Sequence, residues 1–160
     1  WKGARKDLTV GGQTIELHYL GMNHGLGMTV FRLPKQKLIY IADLVTPKRV
    51  LFTIVPDFNI RETQRTLTEI QQLDFDKAVF SHSPVGPVGS KQDVADINQY
   101  IEELRGAIYG EFKKGTPAMK IPNKVRLPKY QDWAMYDEWL ALKAWRLLLD
   151  DHMGPFPWHP

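Results

Sequence analysis

The residues of "TIELHYL", 14–20, alternate: Ile15, Leu17 and Tyr19 fall on one side, Glu16 and His18 on the other. That period of two predicts a half-buried strand. "DLTV" (7–10) precedes it across Gly11-Gly12, which predicts a hairpin. "MTVFRL" (28–33) and "KLIYIADL" (37–44) read as two further strands joined at "PKQ", the second apolar enough to be covered on both faces. The period then changes. In 59–74, Asn59 with Glu62 three residues on predicts a helix start, and Thr66, Leu67, Ile70 and Leu73 form one stripe.

"KAVFSH" (77–82) predicts a short buried strand. A longer helix follows, capped by Ser90 with Asp93 at the third position, and Val94, Ile97, Ile101, Leu104, Ile108 and Phe112 keep helical spacing up to the stop at Gly115. After a proline-punctuated arm, residues 132–152 predict a last helix with Asp132 as N-cap. Trp133, Tyr136, Trp139, Leu140, Leu142, Trp145 and Leu147 to Leu149 make it apolar over more than one face. Such a helix closes the domain's own core or packs on a partner. The order β-β-β-β-α-β-α plus a C-terminal helix predicts an α/β layered fold, with residues 1–117 as the domain and 118–160 as arm and terminal helix.

Composition narrows the function classes. At 160 residues the chain has the size of one domain, and no apolar run reaches the roughly 18 residues of a membrane span. The net charge is +3, with its basic groups (Lys2, Arg5 and Lys6; Lys35 and Lys37; Lys48 and Arg49; Lys113 and Lys114) scattered along the chain. A nucleic-acid binder gathers such groups on one face, so neither nucleic acid nor membrane is expected as a partner. There is no cysteine, which excludes disulfides and thiolate-bound zinc and leaves cytoplasm and periplasm open. The chain begins with Trp1 rather than Met, and the expectation is a piece of a longer protein.

Three polar residues share one kind of place. His24 lies in the Gly-rich turn "MNHGLGM", Asp43 ends the strand "IAD", and His82 ends "VFSH". Each follows the C-terminal end of a predicted strand or sits in its last residues, the edge at which α/β sheets bind ligands. Imidazole and carboxylate are the usual sulfur-free zinc ligands. His18 reads as structural. Asp150, Asp151 and His152, with His159 beyond, read as a solvated helix end. "GPVGS" (86–90) suits either an anion-binding turn or a plain loop and cap.

Here the chain resembles a known family. "GGQTIELHYLGMNHGLGMTVFRLPKQKLIYIADLV" and "DKAVFSHSPVGPVGSKQDVADINQYIEELRGAI" are similar in order and spacing to the second half of the metallo-β-lactamase superfamily, over about residues 8–115. "LPKYQDWAMYDEWLALKAW" is similar to the C-terminal tails of some members. The resemblance implies an αββα sandwich of two halves, of which this chain is the C-terminal one. It implies zinc, one or two ions in the complete domain, with His24 on the first ion, His82 on the second and Asp43 bridging both as the catalytic carboxylate. The activity implied is hydrolysis of a small-molecule ester, lactone, thioester, amide or phosphoester.

The sequence also departs from the family. The His-x-His-x-Asp-His motif of the first half is absent, and the five histidines (His18, His24, His82, His152 and His159) never approach that spacing. Ala42 stands before the Asp, and Ser81 and Ser83 flank His82, where glycine is common in the family. With three ligands divided between two ions, the chain alone is expected to bind zinc weakly or not at all and to be inactive. The remaining ligands would come from a missing N-terminal half. The other reading is a non-catalytic binding or assembly module that keeps half the fold and uses its uncovered sheet face, which would make it a homo-oligomer.

Overall fold

The computed structural model describes residues 3–52 and 58–154, and their architecture is mixed α/β. Six strands form one sheet in sequential order: β1 (Arg5–Val10), β2 (Gln13–Tyr19), β3 (Thr29–Leu33), β4 (Leu38–Ile41), β5 (Lys77–Phe80) and β6 (Val88–Gly89). All neighbours are antiparallel except β4 and β5. The helices are α1 (Ile60–Gln72), α2 (Lys91–Lys113), the single turn α3 (Ile121–Lys124) and α4 (Tyr136–Met153). Both Gly11 and Gly12 have positive φ, the conformation that a two-residue hairpin turn between β1 and β2 requires.

Register decides which side chains meet the helices. Glu16 pairs with Arg32 and His18 with Val30, while Arg32 pairs with Ile39; Ile39 and Ile41 then pair with Ala78 and Phe80. Val30, Ile39, Ile41, Ala78 and Phe80 belong to one core with Leu67 and Ile70 of α1 and Val94, Ile97, Ile101 and Leu104 of α2. Towards β1 this face turns polar and pairs its charges. Glu16 is 6% exposed and is held by Arg32 at 2.8 Å, Arg5 at 2.9 Å and His18 at 3.1 Å. His18 is therefore a structural partner on the helix side of the sheet. The opposite face shows Leu17, Phe31 and Tyr40 side by side in register, the last two half-buried.

Helix starts follow the sequence with two differences. Ser90 and Asp93 form the full capping box of α2, so "GPVGS" serves as a cap; its Val88 and Gly89 add β6, a pair too short to leave a periodic signal. Asn59 caps α1 by accepting from the Glu62 N–H, whereas the Glu62 carboxylate pairs with Arg65. The last helix does not begin at Asp132. Its N-cap is Met135, in the left-handed region, because Ala134 uses both backbone groups elsewhere. The Ala134 N–H donates to the Lys48 carbonyl at 2.9 Å, and its own carbonyl accepts from the Val50 N–H at 3.0 Å.

The C-terminal arm shares the core of the sheet. Leu127, Tyr130, Trp133, Leu140, Ala144, Leu147 and Leu148 are buried in the same cluster as the strands, so α4 closes the chain's own core. Its C-terminal end is solvated only in part, since His152 and Met153 are exposed while Asp150 is buried and Asp151 half-buried. Asp150 is 2% exposed and binds Arg146, Asp151 pairs with Arg105, and His152 stacks on Phe112. His159 lies outside the described residues. No helix among the described residues is long and apolar enough to cross a membrane.

Candidate functional site

β2, β4 and β5 run in one direction, since β3 is antiparallel to both β2 and β4 and β5 is parallel to β4. The segments after their C-terminal ends therefore meet at one edge of the sheet. His24, Asp43 and His82, one from each segment, line a single cleft of about 440 Å³. Thr46, Arg49, Phe52 and Trp139 complete its wall.

Asp43 and His82 are in direct contact, with Asp43 Oδ1 2.8 Å from His82 Nε2. Ser81 fixes the carboxylate in place: its hydroxyl accepts from the Asp43 N–H and donates to Asp43 Oδ1, both at 3.1 Å. Asp43 is the centre of a γ-turn, in which the Leu44 N–H donates to the Ala42 carbonyl at 2.6 Å and Asp43 itself has φ +59°. A γ-turn with positive φ is rare and strained, and Asp tolerates that region better than most residues. Backbone strain of this kind gathers where a side chain must be aimed.

His24 is positioned by its neighbour. Asn23 is fully buried, and its amide donates to the Gly21 carbonyl and the Thr66 hydroxyl, both at 3.2 Å. The amide oxygen accepts from the His24 N–H at 2.7 Å, and the Asn23 carbonyl accepts from the Asn59 N–H at 2.7 Å. The turn is thus fastened to the start of α1. The His24 ring meets Phe58 edge-on, centroids 5.7 Å apart.

On the far wall, the Arg49 guanidinium lies over the Trp139 ring at 4.7 Å, and Phe52 meets Trp139 at 5.2 Å in a T-shaped pair. The bridge between Arg49 and Ala134 holds the start of α4 against this segment. Behind Phe58 sits Lys143, fully buried, its ammonium 4.0 Å from the ring centroid and without a hydrogen-bond partner. Burial pushes the Lys143 amine well below its ordinary range, more than nearby Asp150 holds it up.

The donors present do not complete a metal centre. Zinc takes three or four protein ligands. Among the described residues no group of three or more His, Asp and Glu is close enough together to hold an ion. Asp43 and His82 form a ready pair of nitrogen and oxygen donors; His24 shares their cleft without joining that cluster.

Sequence reasoning missed Asn23, Ser81 and the whole far wall. Ser81 stood out only as a departure from glycine. Arg49, Phe52 and Trp139 come together through tertiary packing, which leaves no local pattern to read.

No protein-family model matches the chain. It is 33% identical over 82 residues to the 2,4-dinitroanisole O-demethylase subunit alpha of Nocardioides sp. (strain JS1661), matching 51% of this chain and 25% of that protein. The chain thus spans about a quarter of the length of that relative. Among solved structures, a metallo-β-lactamase from Pontibacter korlensis superposes with a TM-score of 0.52 at 24% identity, over 61% of this chain and 47% of that one. The stereoselective inverting sec-alkylsulfatase from Pseudomonas sp. gives a TM-score of 0.73 at 16% identity, over 96% of this chain and 26% of that one. A metallo-β-lactamase family protein from Thermus thermophilus gives 0.60 at 14%, over 91% and 48%. The fold of this chain is that of the metallo-β-lactamase superfamily.

Proposed function

We propose that the chain is the C-terminal half of a metal-dependent hydrolase domain that acts on a small organic substrate. Residues 1–117 would form that half, and 118–160 the arm that walls its cleft. In this reading His24, Asp43 and His82 are this chain's share of the zinc ligands, and the others come from outside these 160 residues. The observation that carries it is that the three side chains, from three separate strand ends, line one cleft at one sheet edge. The metallo-β-lactamase fold supports the hydrolase class. The names of two relatives, an O-demethylase and a sec-alkylsulfatase, support small organic molecules as substrates.

Within the site, this chain's residues have definite tasks. Ser81 and the γ-turn hold the Asp43 carboxylate toward His82. Asn23 holds the His24 backbone to α1. Phe52 and Trp139 give the cleft an aromatic wall.

The second reading is an assembly module without catalysis, and the apolar sheet face with Leu17, Phe31 and Tyr40 favours it. A missing N-terminal half would cover that face in the first reading; a second copy would cover it in this one. Metal analysis of the full-length protein, followed by chromogenic esters and β-lactams, separates them. Zinc-dependent turnover lost in both Asp43→Ala and His82→Ala supports the hydrolase. A metal-free full-length protein that forms oligomers and turns over nothing supports the module.

A further inference from the structure

Among the described residues, the cation on the far wall of the cleft has no counter-charge. Arg49 is half-buried, and its guanidinium makes no hydrogen bond or ion pair among the described residues. Stacking on Trp139 covers a face of the guanidinium and leaves its in-plane N–H donors for another group. Removing a cation from water without a partner is costly, so a half-buried, unpaired arginine on a cleft wall is suited to an anion that arrives from outside. Asp43, the carboxylate in the same cleft, is already engaged by His82 and Ser81.

The neighbouring surface sets the rest of the ligand. Phe52 is 43% exposed although it lines a concavity, and its ring stands against Trp139. An exposed aromatic pair beside a stacked arginine offers a flat apolar contact and a charged hydrogen-bonding fork side by side. A cleft of about 440 Å³ has room for a single ring with its substituents.

Resting on the hydrolase reading of this cleft, we infer that Arg49, Phe52 and Trp139 form a specificity subsite for an aromatic organic anion, whose oxyanion group meets Arg49 and whose ring packs on Phe52 and Trp139. Carboxylate, sulfonate and phosphonate share the required chemistry. α4 of the C-terminal arm is then part of the substrate-selecting wall, because it supplies Trp139.

The test uses the metal-free 160-residue chain and the Trp139 indole N–H resonance, assigned with Trp139→Leu. Benzoate, benzenesulfonate and phenylphosphonate are titrated separately, with neutral benzamide and cyclohexanesulfonate as controls. At least one of the three aromatic anions is expected to shift the Trp139 signal saturably, and which one does so identifies the acid group. Arg49→Met should weaken that binding about tenfold or more, the size expected when a charge-assisted hydrogen bond is lost, and Arg49→Lys should weaken it less. Phe52→Ala should weaken the aromatic anions more than cyclohexanesulfonate. Benzamide binding as tightly as the anions, or an unchanged affinity in a folded Arg49→Met, overturns the inference.

Anion binding at the Arg49 wall is read on the metal-free chain, whereas the hydrolase reading is read by turnover of the full-length protein. The two claims therefore fail separately. Anion binding with no turnover in the full-length protein defeats the hydrolase reading alone; turnover with an indifferent Arg49→Met defeats the subsite alone.

Discussion

Replacing Lys143 with Met should stabilise the protein. The lysine is fully buried in α4, has no hydrogen-bond partner, and keeps its ammonium against the Phe58 ring at 4.0 Å. A buried polar group left without a partner costs about 1–3 kcal/mol, and more if it is charged. Met has nearly the same length and no polar atom to desolvate. The substitution forfeits a cation–π contact of roughly 0.5–2 kcal/mol, and a sulfur–aromatic contact returns about 0.3–1.5 kcal/mol. The expected net gain is about 1–2 kcal/mol at pH 7, a rise of about 2–8 °C in Tm for a chain of this size.

The pH dependence supplies an independent check. Burial holds the Lys143 amine well below its ordinary 10.5, so the native state releases this proton before the unfolded state does. Within the window between the lowered value and 10.5 the unfolded chain binds more protons, and wild-type stability rises with pH. Lys143→Met lacks that rise. Urea unfolding at several pH values from 7 to 10 should therefore show the advantage of Lys143→Met shrinking as the pH rises. A variant less stable than wild type by more than about 1 kcal/mol, or an advantage independent of pH, would show that the buried amine is not destabilising.

Three further outcomes follow from the same structure. Asp150→Ala removes an acceptor of Arg146 at 3.0 Å and the acceptor of the Ile60 N–H at 3.4 Å, while Arg146 keeps the Phe58 carbonyl; chemical unfolding should show a loss of about 1–3 kcal/mol. Asp43→Ala should be less stable than Asp43→Gly by about 1 kcal/mol, because only the glycine relieves the strain of φ +59°, and equal midpoints would remove the claim of strain. For Glu16, burial pushes the carboxyl up, but Arg32, His18 and Arg5 together hold it below 4.5. Its contribution is thus present above pH 4.5 and lost as the pH falls through the lowered value, so Glu16→Gln should cost about 1–3 kcal/mol at pH 7 and less in acid.

Much of the fold is legible where burial is periodic. The stripes of α1 and α2 match the structure because each meets one continuous core. The alternation of 14–20 instead gives a strand whose apolar side, with Leu17, faces away from that core and whose Glu16 and His18 lie on the helix side. The start of α4 is not legible, since the helical signal of Trp133 and Tyr136 is overridden by two hydrogen bonds that Ala134 makes to a distant segment. The charges of α4 mislead for a similar reason. Asp150 and Arg146 satisfy each other four residues apart, which lets Asp150 be buried near the helix end. At the site, the placement of His24, Asp43 and His82 after strand ends was readable, because strand direction alone brings such positions to one edge. The residues that aim them were not: Asn23 acts through Thr66 and Asn59, far along the chain, and Arg49 faces Trp139 only once the arm has packed.

On the proposed hydrolase reading, His24, Asp43 and His82 are only part of a zinc site. Zinc content per chain after dialysis tests this most directly, measured on the 160-residue chain and on His24→Ala and His82→Ala. Two or fewer donors per ion do not retain zinc, so far less than one ion per chain is expected, unchanged by either substitution. One full equivalent of zinc that survives dialysis and disappears in His24→Ala or His82→Ala would contradict that reading.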